Sequence, residues 1–286
     1  MAYVVLPTIS DGDLIATDWG NDVKGNFEDH ESRINALGGG TVIYITTSYT
    51  ITDGDGVTRV LVDSSIADVT ITLPGLSTND GREIEVVHVV GGNNCIVSRG
   101  GSDEITEDQL VTIDMPKSQD RLKIYGDDTN TGYWQVLEER ISCQLRLDTY
   151  SGYGSTDTAI MRFANERENY GNLFTENHST GYNGNTEGLE ITIERSGKYS
   201  FSFSTTSSGG GGQNLGFSLN SSQLTTGIQS INVQDRIGLE RSAAGSLPSS
   251  LSWSGYLSKG DIIRPHTEGL APAPSSTHFV ASYTGN

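Results

Sequence analysis

Residue types able to do chemistry are present in this chain, but not at spacings that would make them work together. The five histidines, His30, His88, His178, His266 and His278, are scattered. No His-x-x-x-His or Cys-x-x-Cys pair exists to seed a zinc site. No Gly-x-Gly-x-x-Gly opens a helix, and there is no P-loop to cradle phosphates. Asp53-Gly54-Asp55-Gly56 has the alternating carboxylates of a calcium loop, but its twelfth position is Ser64, where a carboxylate ligand belongs. A tight turn explains the same four residues. Asp and Glu are plentiful, so a carboxylate pair for glycoside hydrolysis stays open. The Asn-rich stretch from Asn177 to Asn185 reads either as a sugar-binding loop or as a solvated one. The expectation is no catalytic residue, no metal and no cofactor.

The elements that would position any site are strands. Of 286 residues, 34% are hydrophobic and 35 are glycine, a composition that favours short strands and turns over helices. The formal net charge is -18, a surface that repels phosphate backbones and argues against nucleic-acid binding. Cys95 and Cys143 lack metal spacing and read as free thiols. The apolar run after Met1 is too short for a signal peptide, and no segment reaches membrane-spanning length. Synthesis in the cytoplasm without membrane insertion is expected.

Four parts follow along the chain. Residues 1–18 form an extended arm too poor in apolar residues to fold alone, so Tyr3, Val4, Val5, Leu6 and Pro7 are expected to dock on something else. Thr17-Asp18 then caps a helix over 19–38 that Gly38-Gly39-Gly40 stops. Val23, Phe27, His30, Ile34 and Leu37 recur at heptad spacing. That stripe suits either a short trimeric coiled-coil neck or an amphipathic helix packed on its own domain. At a neck position, His30 would set register or hold a threefold anion or metal. Residues 41–140 read as strand after strand, a small all-β shaft domain, and 143–286 as a second β domain. In the second, Gly197-Lys198-Tyr199-Ser200-Phe201-Ser202-Phe203 puts an aromatic on every second residue, and Phe279 to Tyr283 forms a closing strand.

The order of Ile160 to Asn172, Leu189 to Phe201 with its Gly-x-Tyr-x-Phe, Leu257-Ser258-Lys259-Gly260-Asp261-Ile262-Ile263, and the final aromatic strand resembles the globular heads of complement first-component and tumour-necrosis-factor-like proteins. That resemblance implies a jelly-roll knob, assembled as a homotrimer, with Tyr199, Phe201, Phe203 and Tyr283 in its core or at its threefold interface. Leu6-Pro7-Thr8, Thr17 to Lys24, and Arg33-Ile34-Asn35-Ala36-Leu37 are similar to the N-termini of bacteriophage fibre and capsid-accessory proteins. This implies a virion structural protein, anchored to other virion proteins by its arm and presenting the knob to a host-surface glycan or protein. A capsid decoration or head-fibre role is the alternative, and a carbohydrate-degrading virion enzyme a minor one.

Overall fold

The computed structural model describes residues 40–177, 187–206, 213–241, 248–269 and 276–285. The arm residues Tyr3 to Pro7 and the stripe Val23, Phe27, His30, Ile34 and Leu37 therefore lie outside the described residues. No α-helix occurs among those described.

The first unit contains strands β1 Thr41–Ile45, β2 Tyr49–Thr50, β3 Val57–Asp63, β4 Val69–Thr72, β5 Glu83–Val90, β6 Cys95–Ser98, β7 Glu104–Ile105, β8 Thr112–Met115, β9 Arg121–Asp127 and β10 Tyr133–Arg140. They form a six-stranded sheet, β1-β3-β5-β9-β10-β7, and a four-stranded sheet, β2-β4-β6-β8. From β1 to β9 consecutive strands alternate between the two sheets, and β1, β3 and β5 run parallel, as do β2, β4 and β6. The result is a short β-solenoid of three stacked coils, closed at one end by the antiparallel strands β8, β9 and β10. Turns such as Asp53 to Gly56 join one sheet to the other and do not form hairpins.

Stacking aligns inward side chains in columns. Ile43 faces Val60, which faces Val86, which faces Leu122. Across the core, Tyr49, Ile71, Val97 and Ile113 align in the same way. Each coil buries its apolar residues mainly against the coils above and below, as in other solenoids.

The second unit has β11 Gln144–Tyr153, β12 Met161–Tyr170, β13 Phe174–Glu176, β14 Ile191–Ile193, β15 Gly197–Thr206, β16 Gln213–Leu219, β17 Arg236–Arg241, β18 Pro248–Leu257, β19 Ile262–Gly269 and β20 His278–Gly285. Two five-stranded sheets result, β12-β11-β20-β15-β18 and β13-β14-β19-β16-β17. From β14 to β20 each successive strand crosses to the other sheet, except that β16 and β17 form an antiparallel pair within one, and this is the connectivity of a jelly roll. The closing strand β20 sits in the middle of its sheet, paired with β11 and β15.

The sequence motifs have local causes. A Cβ on Gly197 would lie 2.6 Å from the Tyr283 ring, so the start of Gly-x-Tyr-x-Phe must lack a side chain. Gly260 has φ +88, a left-handed turn that Gly adopts without steric cost. The following Asp261 accepts hydrogen bonds from the Ser258 amide at 2.8 Å and from Asn220 Nδ2 at 2.7 Å, fixing the entry into β19.

Candidate functional site

Tertiary structure builds two Ser–His contacts that no spacing announces, since their members are 24 and 48 residues apart. Ser64 Oγ lies 2.7 Å from His88 Nε2, and Ser218 Oγ lies 2.8 Å from His266 Nε2. Neither is an activated nucleophile. Ser64 Oγ also reaches the Asn93 carbonyl at 2.7 Å, and both Ser64 and His88 are buried, out of reach of a substrate. Ser218 and His266 are both fully buried, out of reach of a substrate. Burial pushes the His266 pKa down to about 4, and neighbouring Arg264 further opposes an imidazolium. Both pairs satisfy buried polar atoms within the core.

The Asp53 to Gly56 turn is held by the protein itself. Asp55 accepts from the amides of Thr52 at 2.7 Å and Val57 at 2.9 Å, and pairs with Arg82 at 2.5 Å. Arg82 also donates to Asn79 Oδ1 at 2.7 Å and to the Val57 carbonyl at 2.9 Å. Arg82, Asn79, Gly54 and Gly56 border a cleft of about 390 Å³ whose other polar walls include Asp80, itself engaged by Thr129 at 2.7 Å. No group of three or more metal-ligating side chains occurs among the described residues. Cys95 and Cys143 are free and buried, and burial pushes both thiols up to about 12, so they are not reactive thiolates.

Tyr199, Phe201 and Phe203 are fully buried and Tyr283 is 7% exposed. All four point between the sheets. Phe201 packs at 6.0 Å from both Phe217 and Trp253 and at 6.2 Å from Phe279, while Tyr199 meets Tyr283 edge-on at 5.1 Å. They are core residues, and a subunit interface on this sheet has to use the opposite set. Because strand side chains alternate, that set is Ser200, Ser202 and Ser204 on β15, Ser252 and Ser254 on β18, and Val280 and Ser282 on β20, aligned in register. The outer face is thus rich in small hydroxyls along its middle, with Lys198 and Tyr256 toward one end and His278 opposite Ser204 toward the other.

Where the units meet, Glu139 at the end of β10 forms an ion pair with Arg195 at 2.6 Å, with side chains only 3% and 1% exposed. Tyr283 donates its hydroxyl to the same carboxylate, and burial raises the Tyr283 pKa, which keeps the donor protonated. Around this pair Asp108 accepts from the Ser196 amide at 2.6 Å and hydroxyl at 2.9 Å, Asp120 accepts from Ser142 at 2.8 Å, and Lys117 lies 4.1 Å over the Tyr170 ring. One hydrophobic cluster runs through both units.

The molecule therefore has two distinct ends. The knob joins the closed end of the solenoid, formed by β8 and β10 and the loops beside them, whereas β1 and β2 lie at the opposite end. Within the knob, Gly197 opposite Leu257 lies near the junction, whereas Thr206 opposite Pro248 and Gln213 opposite Gly269 lie far from it. Charged residues stand on the strand ends there: Arg241 and Glu268 flank Asn214, and Glu240 lies opposite Leu215.

No protein-family model matches the chain, and no curated protein matches it. Among solved structures the similar chains are tumour-necrosis-factor-family jelly rolls. Murine APRIL is 12% identical with a TM-score of 0.32, over 50% of this chain and 99% of its own. GITRL from bushbaby is 9% identical with a TM-score of 0.30, over 51% of this chain and 96% of its own. Pika GITRL is 12% identical with a TM-score of 0.30, over 51% and 97%. Likeness at this level adds nothing to the assignment, and the jelly roll rests on the chain's own strand order and register.

Proposed function

We propose that this chain is a structural protein of a bacteriophage virion: a homotrimeric fibre attached at its N-terminal end and presenting the jelly-roll knob to the host surface. The observation that carries this reading is the polarity of the molecule. The solenoid end where residues 1–39 enter is opposite the knob, and a buried ion pair joins the two units. Three copies pack through the serine-rich middle of the outer face of β15, β18 and β20, where small side chains stand between Tyr256 and His278. Three knobs held together add avidity to weak single contacts. The chain has no catalytic role in this proposal.

Native mass by light scattering tests the assembly. Three chains per particle are expected, and one chain per particle rejects the proposal. Purified protein should also compete with phage for adsorption to host cells. A capsid decoration role is the second reading, favoured by the shortness of the solenoid, which spans only three coils. Labelled protein found on the head and absent from the tail would select it.

A further inference from the structure

Strand alternation puts Ser218 on β16, and Arg264, His266 and Glu268 on β19, on the face of their sheet turned away from the aromatic core. The connection 220–235 between β16 and β17 lies over that face. It contains two 3-10 turns, Ile228–Ser230 and Val233–Asp235, and no strand. Side chains fasten it to β19. Arg264 Nη1 donates to the Ser221 carbonyl at 3.1 Å, and Glu268 Oε2 accepts from the Gln229 amide at 3.1 Å. Between these two fasteners stands His266, fully buried and opposite Gly216 on β16. Ile228, also fully buried, fills the socket that Gly216 leaves, since a Cβ there would lie 2.1 Å from Ile228 Cγ1. A segment held by side chains and one apolar anchor opens at lower free energy than the hydrogen-bonded sheet beneath it.

We propose that the connection 220–235 is a strap that acid releases, with His266 as its trigger. A proton on His266 places an imidazolium beneath Ile228 and beside the Arg264 guanidinium, two neighbours that cannot stabilise it. The carboxylates nearby are committed elsewhere. Glu190 of β14 pairs with Arg264 at 2.5 Å, Glu268 holds the Gln229 amide, and Asp157, three residues before the Ile160 bridge to His266, holds the Gly188 amide at 2.6 Å. Residues 220–234 of the strap carry no charge. Burial holds the imidazole pKa down to about 4; the Thr226 backbone in the strap acts the other way, Arg264 the same way, and both are weaker than burial. Opening the strap returns His266 to water and to its ordinary value of 6.5. The closed strap is therefore fully favoured above pH 6.5 and loses stability as pH falls toward 4. Release bares the Gly216 socket beside two cations, His266 and Arg264.

The test is amide hydrogen exchange on the full chain at pH 7.5 and 5.0, expressed as protection relative to the unfolded rate at each pH. The lower value stays above the ordinary carboxylate range, so the titration read is that of imidazole. Protection at Gln229 and Ser230 is expected to fall about 30-fold between the two, while Phe201 in the core keeps its protection. His266→Gln should abolish the fall. A second variant, Ile228→Ala, loosens the strap at pH 7.5, and the His266 imidazole followed by NMR should then titrate nearer 6.5. Equal protection of the strap at both pH values would overturn the proposal, as would a parallel loss at Phe201, which is unfolding of the whole knob. A fall that persists in His266→Gln would assign the response to another group and reject the trigger. In Ile228→Ala, a strap that stays protected, or an imidazole that still titrates near 4 once protection is lost, would also sink it. None of these outcomes depends on how many chains form the particle.

Discussion

The two β units bury similar side chains by different means. In the solenoid a column such as Val60–Val86–Leu122 is built from adjacent strands of one sheet, so each coil depends on its neighbours. In the knob, Phe201 meets Phe217 from the facing sheet and Phe279 from β20, partners distant in sequence. The first design is assembled coil by coil. The second closes on itself and stands or falls as a whole. The Glu139–Arg195 pair connects the last strand of the first design to the core of the second.

Breaking the knob gives the largest expected effect. Phe201→Ala should cost about 4 kcal/mol by denaturant unfolding, and should lower exchange protection throughout both knob sheets. Next is the junction. Glu139→Ala leaves Arg195 buried without its counter-charge, a loss of about 3 kcal/mol. If the pair couples the units, one unfolding transition should become two. A single unbroken transition would show that the shared apolar cluster suffices.

Acidification acts on the knob through His266. Its folded pKa of about 4 lies below the ordinary value of 6.5. Between these values the unfolded chain binds a proton that the folded chain refuses, so stability present above pH 6.5 is lost as pH falls toward 4. At pH 4.5 the loss is about 2 kcal/mol relative to pH 7, and His266→Gln should remove that part of the pH dependence. Smallest is the coil turn. Asp55→Ala removes two amide caps and the Arg82 partner, costing about 1 kcal/mol, with loosening confined to the first two coils. A loss spread into the knob would contradict the neighbour-only design of the solenoid.

Strand content, turn positions and the aromatic alternation of β15 were legible in the sequence, because the period of two is local. The distinction between solenoid and antiparallel stack was not. Coils beginning at Thr41, Val57 and Glu83 are unequal in length, so no repeat appears, and pairing direction leaves no mark on a short strand. The aromatic quartet was read as core or interface. Alternation alone says that Tyr199 and Ser200 face opposite ways, but not which face meets the other sheet. The Ser–His contacts were invisible for the same reason, since register across a sheet, and not spacing along the chain, brought them together.

The sequence by itself determined that the described chain is built of strands, that it is acidic, and that glycines stand at the starts of Gly-x-Tyr-x-Phe and before Asp261. Local sterics, alternation and charge are properties of neighbouring residues, so they can be read from order alone. Only the tertiary structure decided that β1, β3 and β5 run parallel, that Glu139 meets Arg195, and that β1 and β2 lie at the end opposite the knob. Each of these depends on contacts between residues far apart in sequence, where burial in three dimensions chooses the partner.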